Sequence, residues 1–261
     1  MSYFPLSAID LAREIDVFPP MMPSLLRLTE LISSEDYTMD QVEKLVQFDQ
    51  TLTVEALRLA NAADAVGQKR ISTVHEAILR LGGERISKYL FSKWLKGSVK
   101  IPLRSYGIDP AGFWTHGAIV AIAADILDKD QGGSQQGVYF TAGLLHDLGK
   151  IILDHFAVRI GCEVDWKSLP SDADLLGVER EFFGKTHEEI VVSLMTQWNF
   201  PEQVIQAMEG FTFANQANTI YQDSHRIAAW IQDPASPLQV SSSLAEKVQK
   251  EFVSVKNMMG M

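Results

Sequence analysis

Apolar residues recur three and four positions apart along almost the whole of this 261-residue chain, and no stretch alternates as a half-buried strand would. Such spacing gives each helix one apolar stripe, which is buried only by packing helix on helix. The expected class is therefore all-α. Starts and stops are legible. Thr38-Met39-Asp40-Gln41, Thr73-Val74-His75-Glu76 and Thr186-His187-Glu188-Glu189 each have the spacing of a capping box. Asp109-Pro110 is an N-cap followed by proline at N1, and Gly82-Gly83, Gly97 and Gly184 close helices.

Helices are expected over Leu6 to Ile15, Ser24 to Ile32, Thr53 to Ala63, Glu84 to Lys96 and Asp109 to about Asp128. Others follow over Gln136 to Leu148, Ala173 to Phe183, Thr186 to Gln197 and Pro201 to about Met208. Two more begin near Thr219 and at a Ser243 cap. Gly149 is expected to relax or end the helix before it, and Phe211 to Ala217 to form a loop. Breaks are expected at Phe18-Pro19-Pro20, at a polar turn over Ala65 to Arg70, and over Cys162 to Leu169. The connector from Ser98 to Gly107, broken at Ile101-Pro102, divides the chain. An N-terminal helical subdomain (1–107), a helical bundle (108–232) and a C-terminal helix packed on that bundle (233–261) are expected.

Apolar residues make up 46%, enough for a sizeable core. Lys and Arg total 23 against 33 Asp and Glu, a net charge of −10, which argues against a nucleic-acid partner. One cysteine, Cys162, permits no internal disulfide and fits a reducing compartment. No signal peptide and no run of about 18 apolar residues is evident, so no membrane partner and a cytoplasmic location are expected.

The chemistry-bearing residues are few. His146-Asp147 stands inside an apolar run, where an unpaired imidazole and carboxylate are costly to bury. His116 shares a helix face with Ile119, Val120, Ala123 and Leu127, and His187 shares one with Ile190, Val191 and Leu194. Both point inward, and His225 lies beside an apolar stripe on a further helix. His75 and Asn61 read as surface or capping residues. Histidine with carboxylate in a helical bundle suits one divalent transition metal, iron, manganese, zinc or nickel. Hydrogen-bonded core histidines without metal are the simpler alternative.

Leu144-Leu145-His146-Asp147-Leu148-Gly149-Lys150 resembles the signature of the HD superfamily. Phe18-Pro19-Pro20-Met21-Met22-Pro23, Leu57 to Ala62, His75 to Gly82, Gly184 to Ile190 and Trp198 to Pro201 resemble, in order, the segments of its HDOD branch. The resemblance implies an HD-type helical bundle with an N-terminal helical subdomain, and a role in bacterial signal transduction. Superfamily members hold metal with a histidine on an early helix, the His-Asp doublet and a later aspartate. Here His116 and His146-Asp147 match, and His225 stands where the aspartate is expected, so the implied set is His116, His146, Asp147 and His225.

His187 matches a histidine of two-metal members, whose adjacent histidine pair is replaced here by Phe211 and Thr212. The Gly-Tyr-Pro motif of the cyclic-di-GMP-hydrolysing branch is absent. These departures favour a regulatory module, not an enzyme, that binds a protein partner or a small nucleotide-like ligand. The alternative is a one-metal phosphohydrolase in which His187 is the acid or base and Lys150 balances phosphate charge. Otherwise Lys150 is a solvated lysine near a helix end.

Overall fold

A computed structural model describes residues 4–17, 23–34, 36–62, 71–98, 103–133, 137–162, 172–212 and 219–258. The expected breaks at 18–20, 65–70, 101–102, 163–169 and 213–217 lie outside the described residues. The helices run in order α1 (Ala8–Val17), α2 (Pro23–Ser33), α3 (Met39–Gln47), α4 (Gln50–Ala62), α5 (Val74–Leu81), α6 (Gly83–Ser98) and α7 (Pro110–Asp130). They continue as α8 (Val138–Leu145), α9 (Leu148–Arg159), α10 (Asp172–Phe183), α11 (His187–Gln197), α12 (Glu202–Thr212), α13 (Thr219–Gln232) and α14 (Ser242–Met258). Among the described residues the strand content is one isolated antiparallel bridge, Leu103 to Ile108. The fold is all-α.

All three capping boxes form as their sequences require: Thr38 with Gln41, Thr73 with Glu76 and Thr186 with Glu189. The Asp109 carboxylate accepts from Gly112 N at 2.6 Å, starting α7 at Pro110. Asn61 does more than end a helix. Its amide donates to Leu57 O and Ile71 O and accepts from Ile71 N, clamping the chain that re-enters before α5.

α2 to α6 pack among themselves, and α6 carries that group onto α7 and α8. α1 instead lies against α9, where Arg159 pairs with Glu14 (2.6 Å) and Asp10 (2.8 Å). α7 is the axis of the second half, covered by α8, α13 and α14. It is long and apolar enough to cross a membrane by length and composition, but 61% of its most apolar window is buried in this packing. Its apolarity is spent on the core.

Four local expectations change. The doublet does not sit within a continuous helix: α8 ends at Leu145, and His146-Asp147 forms the corner before α9. Gly149 is not the breaker. It lies inside α9, where a Cβ would stand 1.9 Å from the His187 carbonyl oxygen, so glycine is there to let α9 meet the start of α11. α12 runs through Thr212 because Phe211, buried against Tyr139 and Tyr221, extends its apolar stripe. α14 is capped by Ser241, whose hydroxyl accepts from Leu244 N, rather than by Ser243.

The two kinds of helical glycine should respond oppositely to alanine. Gly149→Ala forces backbone apart and is expected to cost about 3 kcal/mol or more, lowering Tm by roughly 10 °C. Gly177, in α10, has nothing within 4 Å of a built Cβ. Gly177→Ala is expected to gain about 0.5–1 kcal/mol from helix propensity. Thermal melts of the two variants check both signs.

Candidate metal centre and ligand cleft

His116 hangs from α7, His146 from the α8–α9 corner, and His225 from α13. Gly143 sets the first of these relations. A Cβ there would stand 2.9 Å from Ala121 Cα, so its absence lets α8 press on α7 and brings His146 beside His116. The imidazole centroids lie 5.3 Å (116–146), 5.5 Å (116–225) and 4.9 Å (146–225) apart. One ligand nitrogen from each falls within 4.8 Å of the other two.

The hydrogen bonds orient these rings alike. His146 Nδ1 bonds to Gly143 O (2.7 Å), His225 Nδ1 to Tyr221 O (3.0 Å), and His116 Nδ1 to Gln232 Oε1 (3.1 Å). Each partner is an acceptor, so each Nδ1 carries a hydrogen, and in a neutral ring this leaves the lone pair on Nε2. His146 Nε2 is buried and has no hydrogen-bond partner. Asp147 Oδ1 lies 3.2 Å from it, an acceptor facing an acceptor. Protonation would relieve the contact. Burial, however, pushes His146 down to about 4, outweighing the attraction of Asp147. Burial and the neighbouring His146 and His116 also hold His225 well below the usual histidine range. His146 and His225 are therefore neutral donors, one with an orphaned nitrogen, and with His116 beside them the group fits a borderline divalent cation.

Asp147 stands at the edge of that triangle. Besides His146, it lies 3.9 Å from His116 Nε2 and 3.5 Å from His187 Nε2, and Lys150 Nζ sits 2.8 Å from its Oδ1. Burial alone would raise this carboxyl, but His146, Lys150, His116 and His187 together hold it well below the usual carboxylate range. Lys150 is thus no solvated lysine. Its side chain is only 12% exposed, because i,i+3 spacing in the first turn of α9 turns it onto Asp147.

His187 reaches the same cleft from the N-terminus of α11, backed by a residue the sequence reading missed. Glu179, fully buried on α10, accepts from His187 N (2.8 Å), His187 Nδ1 (2.8 Å) and the Tyr106 hydroxyl (2.7 Å). Glu188 was missed as well. It sits between His187 and the capping Glu189, takes a hydrogen bond from the Tyr221 hydroxyl (3.1 Å), and lines the cleft. Burial, with help from Glu179 and Asp147, pushes Glu188 up to about 8 despite that bond. The only sequence signal for it was a second carboxylate beside an inward histidine. His116, Asp147, Lys150, His187, Glu188 and His225 bound an open space of about 720 Å³, and Arg226 and Asp109 also line it. That volume suits a small organic ligand.

The all-helical bundle is of the HD type. The HDOD domain family matches residues 18–211, and the chain belongs to that family. A candidate phosphohydrolase from Shewanella amazonensis SB2B is 23% identical, with 95% of this chain and 96% of that one covered at a TM-score of 0.66. An HDOD domain protein of unknown function from Geobacter sulfurreducens is 22% identical, covering 96% and 88% at 0.63. A candidate signal transduction protein from Marinobacter aquaeolei VT8 is 19% identical, covering 97% and 64% at 0.64. An uncharacterised protein of Treponema pallidum (strain Nichols) is 24% identical over 202 residues, 77% of this chain. The chain spans about two fifths (39%) of that curated relative's length. At these identities the structural likenesses establish the fold.

Glu188 gives the cleft a pH signature. The folded chain keeps its proton to about 8, whereas an ordinary glutamate releases it near 4.5. Its contribution to stability is therefore complete below about 4.5 and is lost as the pH rises through 8. Glu188→Gln, fixed in the neutral form, should melt with the parent at pH 4.5 and several degrees higher at pH 8.5. A Tm difference that does not widen with pH contradicts this reading.

Proposed function

We propose that this chain is a bacterial regulatory HDOD module. Its histidine cleft takes one divalent transition metal and a small, phosphate-bearing, nucleotide-like ligand, and it signals by binding rather than turnover. The observation carrying the metal is the triangle of His116, His146 and His225, with every Nδ1 anchored and the Nε2 of His146 left orphaned in the core. When bound, the metal supplies Lewis acidity toward a phosphate oxygen. Lys150 and Arg226 add positive charge at the cleft, and the 720 Å³ opening fits a ligand of nucleotide size. Binding is favoured over turnover because Asp147, the remaining anionic ligand candidate, is already engaged by Lys150. The acidic surface suits a protein as the recipient of the signal, in a cytoplasmic setting.

A second reading, a one-metal phosphohydrolase, has its own support. Glu188 holds a proton through neutral pH and can give one, while His187, oriented by Glu179, can accept one through Nε2. Two such groups facing one cleft form an acid–base pair.

Elemental analysis of the purified chain beside His116→Ala and His146→Ala variants tests the metal. About one transition-metal ion per chain is expected, falling several-fold in both variants. An equal metal content in parent and variants, or none in any, contradicts the site. Nucleotides, cyclic dinucleotides and simple phosphate esters are then offered to the loaded protein. Saturable binding without product is expected. Product formation abolished by His187→Ala would favour the hydrolase instead.

A further inference from the structure

A second cleft, of about 860 Å³, opens at the other end of α7. It shares no lining residue with the histidine cleft. Ile122 and Ile126 of α7 form its floor, Tyr37, Tyr89 and Phe140 supply aromatic walls, and α14 closes one side with Lys247, Lys250 and Ser254. α14 lies beyond the segment matched by the HDOD family, residues 18–211.

The charge here runs against that of the chain. Five basic side chains line the cleft against three acidic ones, on a protein of net charge −10. Glu84 and Asp125 are already committed to Lys88 (2.8 and 2.5 Å) and Lys129 (2.8 and 3.1 Å). Beside that balanced group, α14 brings Lys247 and Lys250 to the cleft against Glu251. Lys247 reaches Asp130 at 2.9 Å, but both side chains are half exposed, so this pair is readily exchanged for another anion. The cleft thus offers an aromatic and aliphatic interior with cations at its mouth.

We propose that this cleft is a binding site for a small amphipathic anion, a flat apolar body carrying a phosphate, sulfonate or carboxylate. The body lies between Ile126 and the aromatic walls, and the anionic group meets Lys247 and Lys250. Because α14 forms one wall and packs on α7, an occupant ties the C-terminal helix to the helix that carries His116.

The test uses the full chain and two fluorescent probes, anilinonaphthalene sulfonate and its uncharged analogue phenylnaphthylamine. Saturable one-site binding of the sulfonate is expected, at least about tenfold tighter than that of the neutral analogue. The double variant Lys247→Glu/Lys250→Glu should weaken it by about tenfold. Ser254→Trp, which fills the cleft from α14, should weaken it comparably. Arg226→Glu, in the histidine cleft, should leave it unchanged. The proposal is overturned if the parent shows no saturable binding or if the double variant binds as tightly as the parent. It is equally overturned if Arg226→Glu weakens binding as much as the double variant, or if the neutral analogue binds as well as the sulfonate.

Discussion

Gly143 and Gly149 let helices meet backbone to backbone, and the histidine cleft depends on those two contacts. At Gly143 α8 presses on Ala121 of α7, and at Gly149 α9 presses on the carbonyl of His187 at the head of α11. The first contact brings His146 beside His116, and the second brings Asp147 within 3.5 Å of His187. A β-carbon would crowd Ala121 Cα at 2.9 Å from position 143 and overlap the His187 carbonyl from position 149, so either helix pair would have to shift. The core around them is close-packed, so such a displacement would not stay local.

The electrostatics of the cleft follow from that packing. His146 and His225 lie together because burial disfavours their charged forms, and Asp147 keeps its own charge with Lys150 at 2.8 Å. Glu188 lines the same cleft, but its burial outweighs the Tyr221 hydrogen bond and the weaker attraction of Lys150, and it retains its proton to about 8. Two carboxyls in one cleft are thus held in opposite protonation states by their neighbours. The cleft that Lys150 and Arg226 line therefore holds one buried carboxylate charge rather than two.

Much of this was legible in the sequence, for local reasons. Capping boxes act within four residues, so Thr38, Thr73 and Thr186 announced their helices correctly. The inward direction of His116 and His187 followed from helical spacing alone. What depends on a second helix was not legible. Gly149 reads as a breaker until α11 is seen against it, and Lys150 reads as solvated until Asp147 turns toward it. Glu179 lies eight residues before His187, and only the turn at Gly184 folds it back under that ring. The second cleft is assembled from helices far apart in the chain, and no single segment carries its signal.

The central claim is that three anchored imidazoles present bare Nε2 atoms to a cation. Long-range nitrogen–proton correlation NMR on histidine-labelled protein reads tautomers directly. At neutral pH, His146 and His225 are expected in the neutral form with hydrogen on Nδ1, and their Nε2 signals, with that of His116, should shift when one equivalent of zinc is added. Hydrogen on His146 Nε2, or an imidazolium there at neutral pH, would contradict the account.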